Sequence, residues 1–272
     1  MKYLLFLLVP ALATAQKLPQ HLKAYLQKIP NTVQVNVAVE ELEGKTQFYH
    51  RADELPPAAS VIKLPIMVET MEQVKAGRFD LEKIHVLQEA EKTGGSGVLK
   101  TYPDQSRLTN REVLTLMMTH SDNTATNILI RELGMDNINQ RMRSLGLTQS
   151  KLNRVMLDTL AVKQGRENRV SAREMNALLR KIYRQEVATP ELCDQMIEIL
   201  KGNRDQKTFR LFLPPSTVIA HKTGELTYVR GDVGIFYVRK PFLLSVFVQG
   251  TTTEDAERII GEIAQICYNQ FQ

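Results

Sequence analysis

Strand-like and helix-like patterns are segregated along this chain, and that order restricts its fold more than any other feature. Residues 33–39 (VQVNVAV) alternate apolar and other residues with period two, the pattern of a strand with one buried face. Gly44-Lys45 marks a turn, and residues 46–50 supply a hairpin partner. Pro56-Pro57 closes this section. After a long helical stretch, residues 218–223, 232–238 and 242–248 read as three more strands, joined by connectors at 224–231 and 239–241. Residues 256–268 read as a closing amphipathic helix. Strands at both ends with helices between them predict an α+β fold. The N- and C-terminal strands then share one antiparallel sheet packed against a helical block. With no repeat or linker, one domain over 16–272 is expected, with an α/β part at 16–59 and 215–272 and a helical part at 60–214.

The helices have local signals. Residues 20–28 form a short helix ended by Pro30, and a helix from Ser60 to about residue 75 stops at Gly77. Thr109-x-x-Glu112 and Ser171-x-x-Glu174 read as capping boxes, and Thr189-Pro190 as a cap followed by proline at the first helical position. A helix over 124–133 stops at Gly134. Residues 151–169 form a polar connector without period, and connectors that long are usually functional or disordered.

The first residues read as an export leader. Lys2 precedes an apolar run over 3–12, and Ala13-Thr14-Ala15 is a small-residue cleavage site, so cleavage after Ala15 and a periplasmic location are expected. No cysteine follows that site, which argues against a lipid anchor. Cys193 and Cys267 lie in helical patterns and are expected to be buried thiols. The composition, 43% hydrophobic and 24% charged, excludes a disordered chain. The formal charge of +5 is scattered without interleaved aromatics, which argues against nucleic acid. No later segment is long and apolar enough to span a membrane. No cofactor or metal is expected, since the chain has no H-x-x-x-H, H-x-H or C-x-x-C pattern. A monomer is expected.

Ser60-Val61-Ile62-Lys63 opens the long helix, which would place a hydroxyl and an amine on one face of its first turn. A lysine of lowered pKa can take the proton of a serine and so activate it for attack. Alone, S-x-x-K is a common pattern that most often marks a cap and a solvated lysine. Two more motifs raise its weight. Ser121-Asp122-Asn123 lies between two expected helices, and Lys222-Thr223-Gly224 ends an expected strand.

S-x-x-K, S-D-N and K-T-G in this order resemble the signature of the penicillin-recognising serine enzymes. Residues 121–127 (SDNTATN) resemble the corresponding run of class A β-lactamases, and the similarity covers essentially the whole mature chain. The resemblance implies a nucleophile at Ser60, a base at Lys63, a second cation at Lys222 and a proton relay at Ser121. It also implies substrate contacts from Asn123, Thr223 and Gly224, and an oxyanion hole from the backbone N–H groups of Ser60 and Glu225. Arg230 is the nearest candidate for a cation facing a substrate carboxylate. Asp122 and Asn127 are expected to be structural. His120 and His221 each precede a motif. His221 should face away from Lys222, because neighbours in a strand point to opposite faces.

The chain departs from class A β-lactamases in the connector. Those enzymes carry E-x-x-L-N there, with a glutamate that activates the deacylating water. The family's spacing, counted from Ser121, lands on Leu157, and there is no E-x-x-L-N. Asp158 is adjacent and is read as structural in preference to catalytic. The altered loop resembles penicillin-binding proteins built on the class A fold. These imply a D-alanyl-D-alanine peptidase that is acylated by β-lactam antibiotics and releases them slowly, with peptidoglycan stem peptides as natural partners. The alternatives are a working β-lactamase using Asp158 or another base, and a binding or sensor protein that does not turn over.

Overall fold

The computed structural model describes residues 17–272; the expected leader lies outside them. In chain order the elements are α1 (Lys17–Leu26), β1 (Gln34–Glu41), β2 (Gln47–His50), α2 (Lys63–Lys75), β3 (Ile84–Val86), β4 (Arg107–Thr109), α3 (Asn110–Thr119), α4 (Asn123–Leu133) and α5 (Met135–Ser144). They continue with α6 (Thr159–Lys163), α7 (Ala172–Tyr183), α8 (Pro190–Lys201), β5 (Val218–Leu226), β6 (Val229–Tyr237), β7 (Phe242–Gln249) and α9 (Thr253–Phe271). The main sheet has the order β2-β1-β7-β6-β5 and is antiparallel throughout. The α+β expectation, with one sheet shared by the chain ends, holds.

The sheet separates two cores. On one side Val35, Val37 and Val39 pack with Leu18 and Leu22 of α1 and Ile260 and Ile263 of α9. Stacked rings run through this layer, with Phe236–Phe242 centroids 4.4 Å apart and Phe242–Phe271 4.7 Å apart. On the other side Ala38, Ala220, Val233 and Ile235 meet the helical block. β1 therefore corrects the one-faced reading. Its alternate residues Asn36, Ala38 and Glu40 are buried too, because α7 covers them. Asn176 of α7 donates to Ala38 O (3.1 Å), and Arg180 pairs with Glu40. The helix thus meets Glu40, whereas Asn36 donates to Arg51 O at 2.8 Å, outside the helix.

At the centre of the block lies α2, every residue of which from Lys63 to Met71 is buried. Such a helix has no polar face to show to water. A 3-10 turn, Ala59–Ile62, leads into it, and Pro65 falls in the first α-turn, where its missing N–H removes no helical bond. The Thr109 box is complete in both directions. The second box is not. Ser171 accepts from Glu174 N, but the Glu174 carboxylate accepts from Gln149 N and Ser150 N. Thr189 caps α8 as expected.

Several features depart from the sequence reading, among them α6, a helix inside the connector read as having no period. Helix α5 was not anticipated, since its apolar stripe is only Met135, Ile138 and Met142 in a polar segment. The β3–β4 ribbon is too short to show a period. The connector at 224–231 is mostly strand: β5 runs to Leu226 and β6 starts at Val229, so the hairpin turns on Thr227 and Tyr228 alone. Cys193 and Cys267 are both buried and unpaired. A thiol reagent should therefore label neither in the native protein and both after denaturation; labelling of native protein would contradict this packing.

Candidate active site

Ser60, Lys63, Ser121, Asn123 and Lys222 come from three separate stretches of chain and meet in one hydrogen-bonded network. Lys63 Nζ lies 3.1 Å from Ser60 Oγ and 3.1 Å from Ser121 Oγ. It also donates to Ser121 O at 2.6 Å and to Asn123 Oδ1 at 3.1 Å. Lys222 Nζ reaches the same Ser121 Oγ from the opposite strand at 3.2 Å and donates to Thr223 O at 2.8 Å. One hydroxyl thus stands between two amines.

The backbone around the network is held in unusual conformations. Ala59, next to Ser60, has φ 46°, and Ser121 has φ 52°. Non-glycine residues in this region cost about 1–3 kcal/mol each and persist where surrounding contacts over-determine them. Asp122 supplies much of that restraint. Its buried carboxylate accepts from Ala125 N to cap α4 and from Val98 N and Leu99 N of the preceding loop. Asn123 Nδ2 donates to Gly94 O, so the 94–97 glycine loop is bound to the site as its rim. On the other wall, Gly224 lets β5 press against the serine turn. A Cβ there would sit 3.0 Å from Ala58 O and 3.1 Å from Ser60 N. Any side chain at this position would push strand and turn apart.

Burial sets the charge state of both amines. Lys63 is held well below the ordinary lysine range, first by desolvation and then by the charge of Lys222, with Asp122 opposing. Lys222 is lowered to about 8, mainly by desolvation, against the pull of Asp232 and Asp205. A lysine so placed is partly neutral and can accept a proton.

A cavity of about 270 Å³ opens over this network, lined by Ser60, Ser121, Lys222, Thr223, Gly224 and Glu225. Arg230 also reaches it, but already ion-paired to Asp205, Glu225 and Glu257. His120 lies in the wall, bonded to its neighbour Thr119. His221 faces the other side of the sheet, fully buried against Asp232, as strand alternation predicts. Asn203, Arg204 and Asp205 complete the wall and were not singled out from sequence. The only signal they offered was a polar run just after Gly202, ahead of the K-T-G strand.

The 151–169 connector is an ordered loop with its ends tied together. Lys151 and Arg169 bridge as strand partners, and Asn168 Oδ1 accepts from Asn153 N and Arg154 N. Arg154 pairs with Glu167 at 2.7 Å, both nearly buried, and Tyr228 OH donates to the same carboxylate. Asn127 clamps the loop to α4 through Met156 N and Met156 O. The loop thereby sets Leu157 beside the Ser60 cleft. Leu157 has φ 60° and is 51% exposed, and it lines a second cavity of about 130 Å³ with Ser60, Asn123 and Glu225. Asp158 turns instead to cap α6, accepting from Ala161 N at 2.8 Å.

Residues 17–271 match the family model described as the beta-lactamase enzyme family. Among curated proteins, the extended-spectrum beta-lactamase PER-1 of Pseudomonas aeruginosa is 26% identical over 235 residues, covering 79% of this chain and 75% of that one. Among solved structures, PBP-A superposes with a TM-score of 0.84 at 25% identity over 97% of each chain. A leucine-to-glutamate variant of PBP-A, an acyl-enzyme complex with penicillin G, gives 0.83 at 25% identity over 98% of this chain and 99% of that one.

The Arg154–Glu167 pair should be the most sensitive point of the loop. Arg154→Met leaves Glu167 buried without its cation and should cost about 3 kcal/mol in urea unfolding, whereas Arg154→Met with Glu167→Leu should recover most of that loss. Equal losses in the single and double variants would show that the pair does not hold the loop.

Proposed function

Because the chain belongs to the beta-lactamase enzyme family of serine hydrolases, we propose that Ser60 is its nucleophile and that it is acylated by β-lactams and by peptides ending in D-alanyl-D-alanine. Lys63 Nζ takes the proton from Ser60 Oγ as that oxygen bonds to the substrate carbonyl carbon. The negative charge on the carbonyl oxygen is met by the N–H groups of Ser60 and Glu225. Ser121, hydrogen-bonded to both amines, passes a proton to the leaving nitrogen as the C–N bond breaks. Lys222 and Thr223 face the carboxylate side of the substrate, and Asn123 orients its amide.

One observation supports slow release over turnover. The loop brings Leu157 to the edge of the acylation cleft, and the neighbouring carboxylate of Asp158 is committed to capping α6. A leucine cannot deprotonate a water, and loss of a general base typically costs about 10²- to 10⁴-fold. The reading that follows is a penicillin-binding D-alanyl-D-alanine peptidase whose β-lactam acyl-enzyme is long-lived. The likeness to PBP-A supports it. The names of the curated relatives favour the competing reading, a β-lactamase that turns over with Asp158 or another base.

Mass spectrometry of the protein with penicillin over time decides between them. A persistent adduct on Ser60 is expected. A transient adduct with steady ring opening would favour the lactamase, and no adduct would defeat both readings. Leu157→Glu should shorten the adduct lifetime markedly; an unchanged lifetime would show that Leu157 is not at the water site.

The two lysines also predict a pH profile for acylation. Lys63 must be neutral to act as base, so the rate rises as pH climbs through its lowered pKa. Lys222 must be charged, so the rate falls as pH climbs through about 8. Because both amines share Ser121, the limbs of the bell belong to the pair. A rate still rising well above pH 8 would remove the charged Lys222 from this scheme.

A further inference from the structure

Two arginines reach the same end of the cleft, Arg230 from β6 and Arg204 from the segment between α8 and β5. Their surroundings differ. Arg230 is 4% exposed and sits among Asp205, Glu257 (3.2 Å) and Glu225 (3.3 Å). An incoming carboxylate would meet three like charges already gathered there. Arg204 has an exposed side chain, and among the described residues it makes no ion pair or side-chain hydrogen bond.

The residues flanking Arg204 are fixed. Asn203 Nδ2 donates to His221 O at 3.2 Å. Asp205 accepts from Lys207 N at 2.8 Å and from Arg230. A little further on, Thr208 Oγ1 donates at 2.6 Å to Asp232 Oδ2, whose carboxylate is fully buried with His221 Nδ1 3.0 Å away. The segment is thus fastened to β5 and β6 on either side of Arg204, whose exposed side chain lines the cavity.

We propose that Arg230 is a structural pin for Asp205, and that Arg204 is the specificity-determining cation that receives the substrate carboxylate beside Lys222 and Thr223. The inference rests on the cleft being an acylation site. It selects substrates carrying a free carboxylate near the leaving nitrogen, as a penicillin and a peptide with a free C-terminal D-alanine both do. It also explains why Arg230 can be surrounded by acids in a pocket that accepts an anion: its charge is already spent on holding the loop.

The test compares acylation of Ser60 by benzylpenicillin and by its methyl ester, in the wild type and in Arg204→Ala and Arg204→Lys. The wild type should favour the acid over the ester. In Arg204→Ala that preference should shrink about fivefold, the size expected of a solvent-facing ion pair, through weaker binding with the limiting acylation rate retained. Arg204→Lys should restore part of it, since a charge without the fork geometry remains. An acid-to-ester ratio unchanged in Arg204→Ala would overturn the assignment while leaving the acylation reading intact. No adduct from either compound on the wild-type protein would overturn that reading and the assignment with it.

Discussion

Two buried amines compete for one hydroxyl, and the rest of the site follows from that competition. Lys63 and Lys222 lie 3.1 and 3.2 Å from Ser121 Oγ. Two full charges on either side of one hydroxyl would repel by about 3 kcal/mol at the dielectric typical of protein sites. Burial and mutual repulsion lower Lys63 well below the ordinary lysine range, whereas Asp232 and Asp205 hold back the fall of the equally buried Lys222, so Lys63 is the more readily neutral of the two. A fold can hold such an arrangement only if nothing around it can relax. Here α2 is buried on every side, Asp122 fixes the S-D-N turn from three directions, and Gly224 locks β5 onto the serine turn. The left-handed backbone at Ala59 and Ser121 is the visible sign of that restraint.

The motif residues were legible in the sequence because they are short, contiguous and ordered, and their chemistry survives any detail of packing. The sheet was legible for a related reason: period-two alternation and segregation of strands are local signals. What they could not show was which faces are covered. Asn36 read as part of a wet face because it is polar, yet it is buried and donates to Arg51 O, while further along the strand Glu40 is met by Asn176 and Arg180 of α7. The same blindness hid the wall formed by Asn203, Arg204 and Asp205. Their relevance depends on contacts with β5 and β6, far along the chain. Glu174 shows the reverse error, a correct local pattern whose side chain is drawn away by tertiary partners at Gln149 and Ser150.

The loop over 151–169 gives rigidity without a visible catalytic group. Its strand bridge, the Arg154–Glu167 pair, the two Asn168 contacts and the Asn127 clamp hold its backbone as firmly as a catalytic loop requires. That investment in order, at a position occupied by a leucine, separates shaping of the cleft from delivery of water. The backbone at Leu157 is already left-handed, so a different side chain there inherits the same conformation at similar cost.

β5 is the outer strand of the sheet, and β2, the other border, is only four residues long. An open outer strand offers unpaired backbone groups to any passing chain and invites self-association. Here the serine turn and α8 pack alongside β5, and the wall of the cleft occupies the space a foreign strand would need. The groove over Ser60 therefore runs along a sheet border that neighbouring elements already cover.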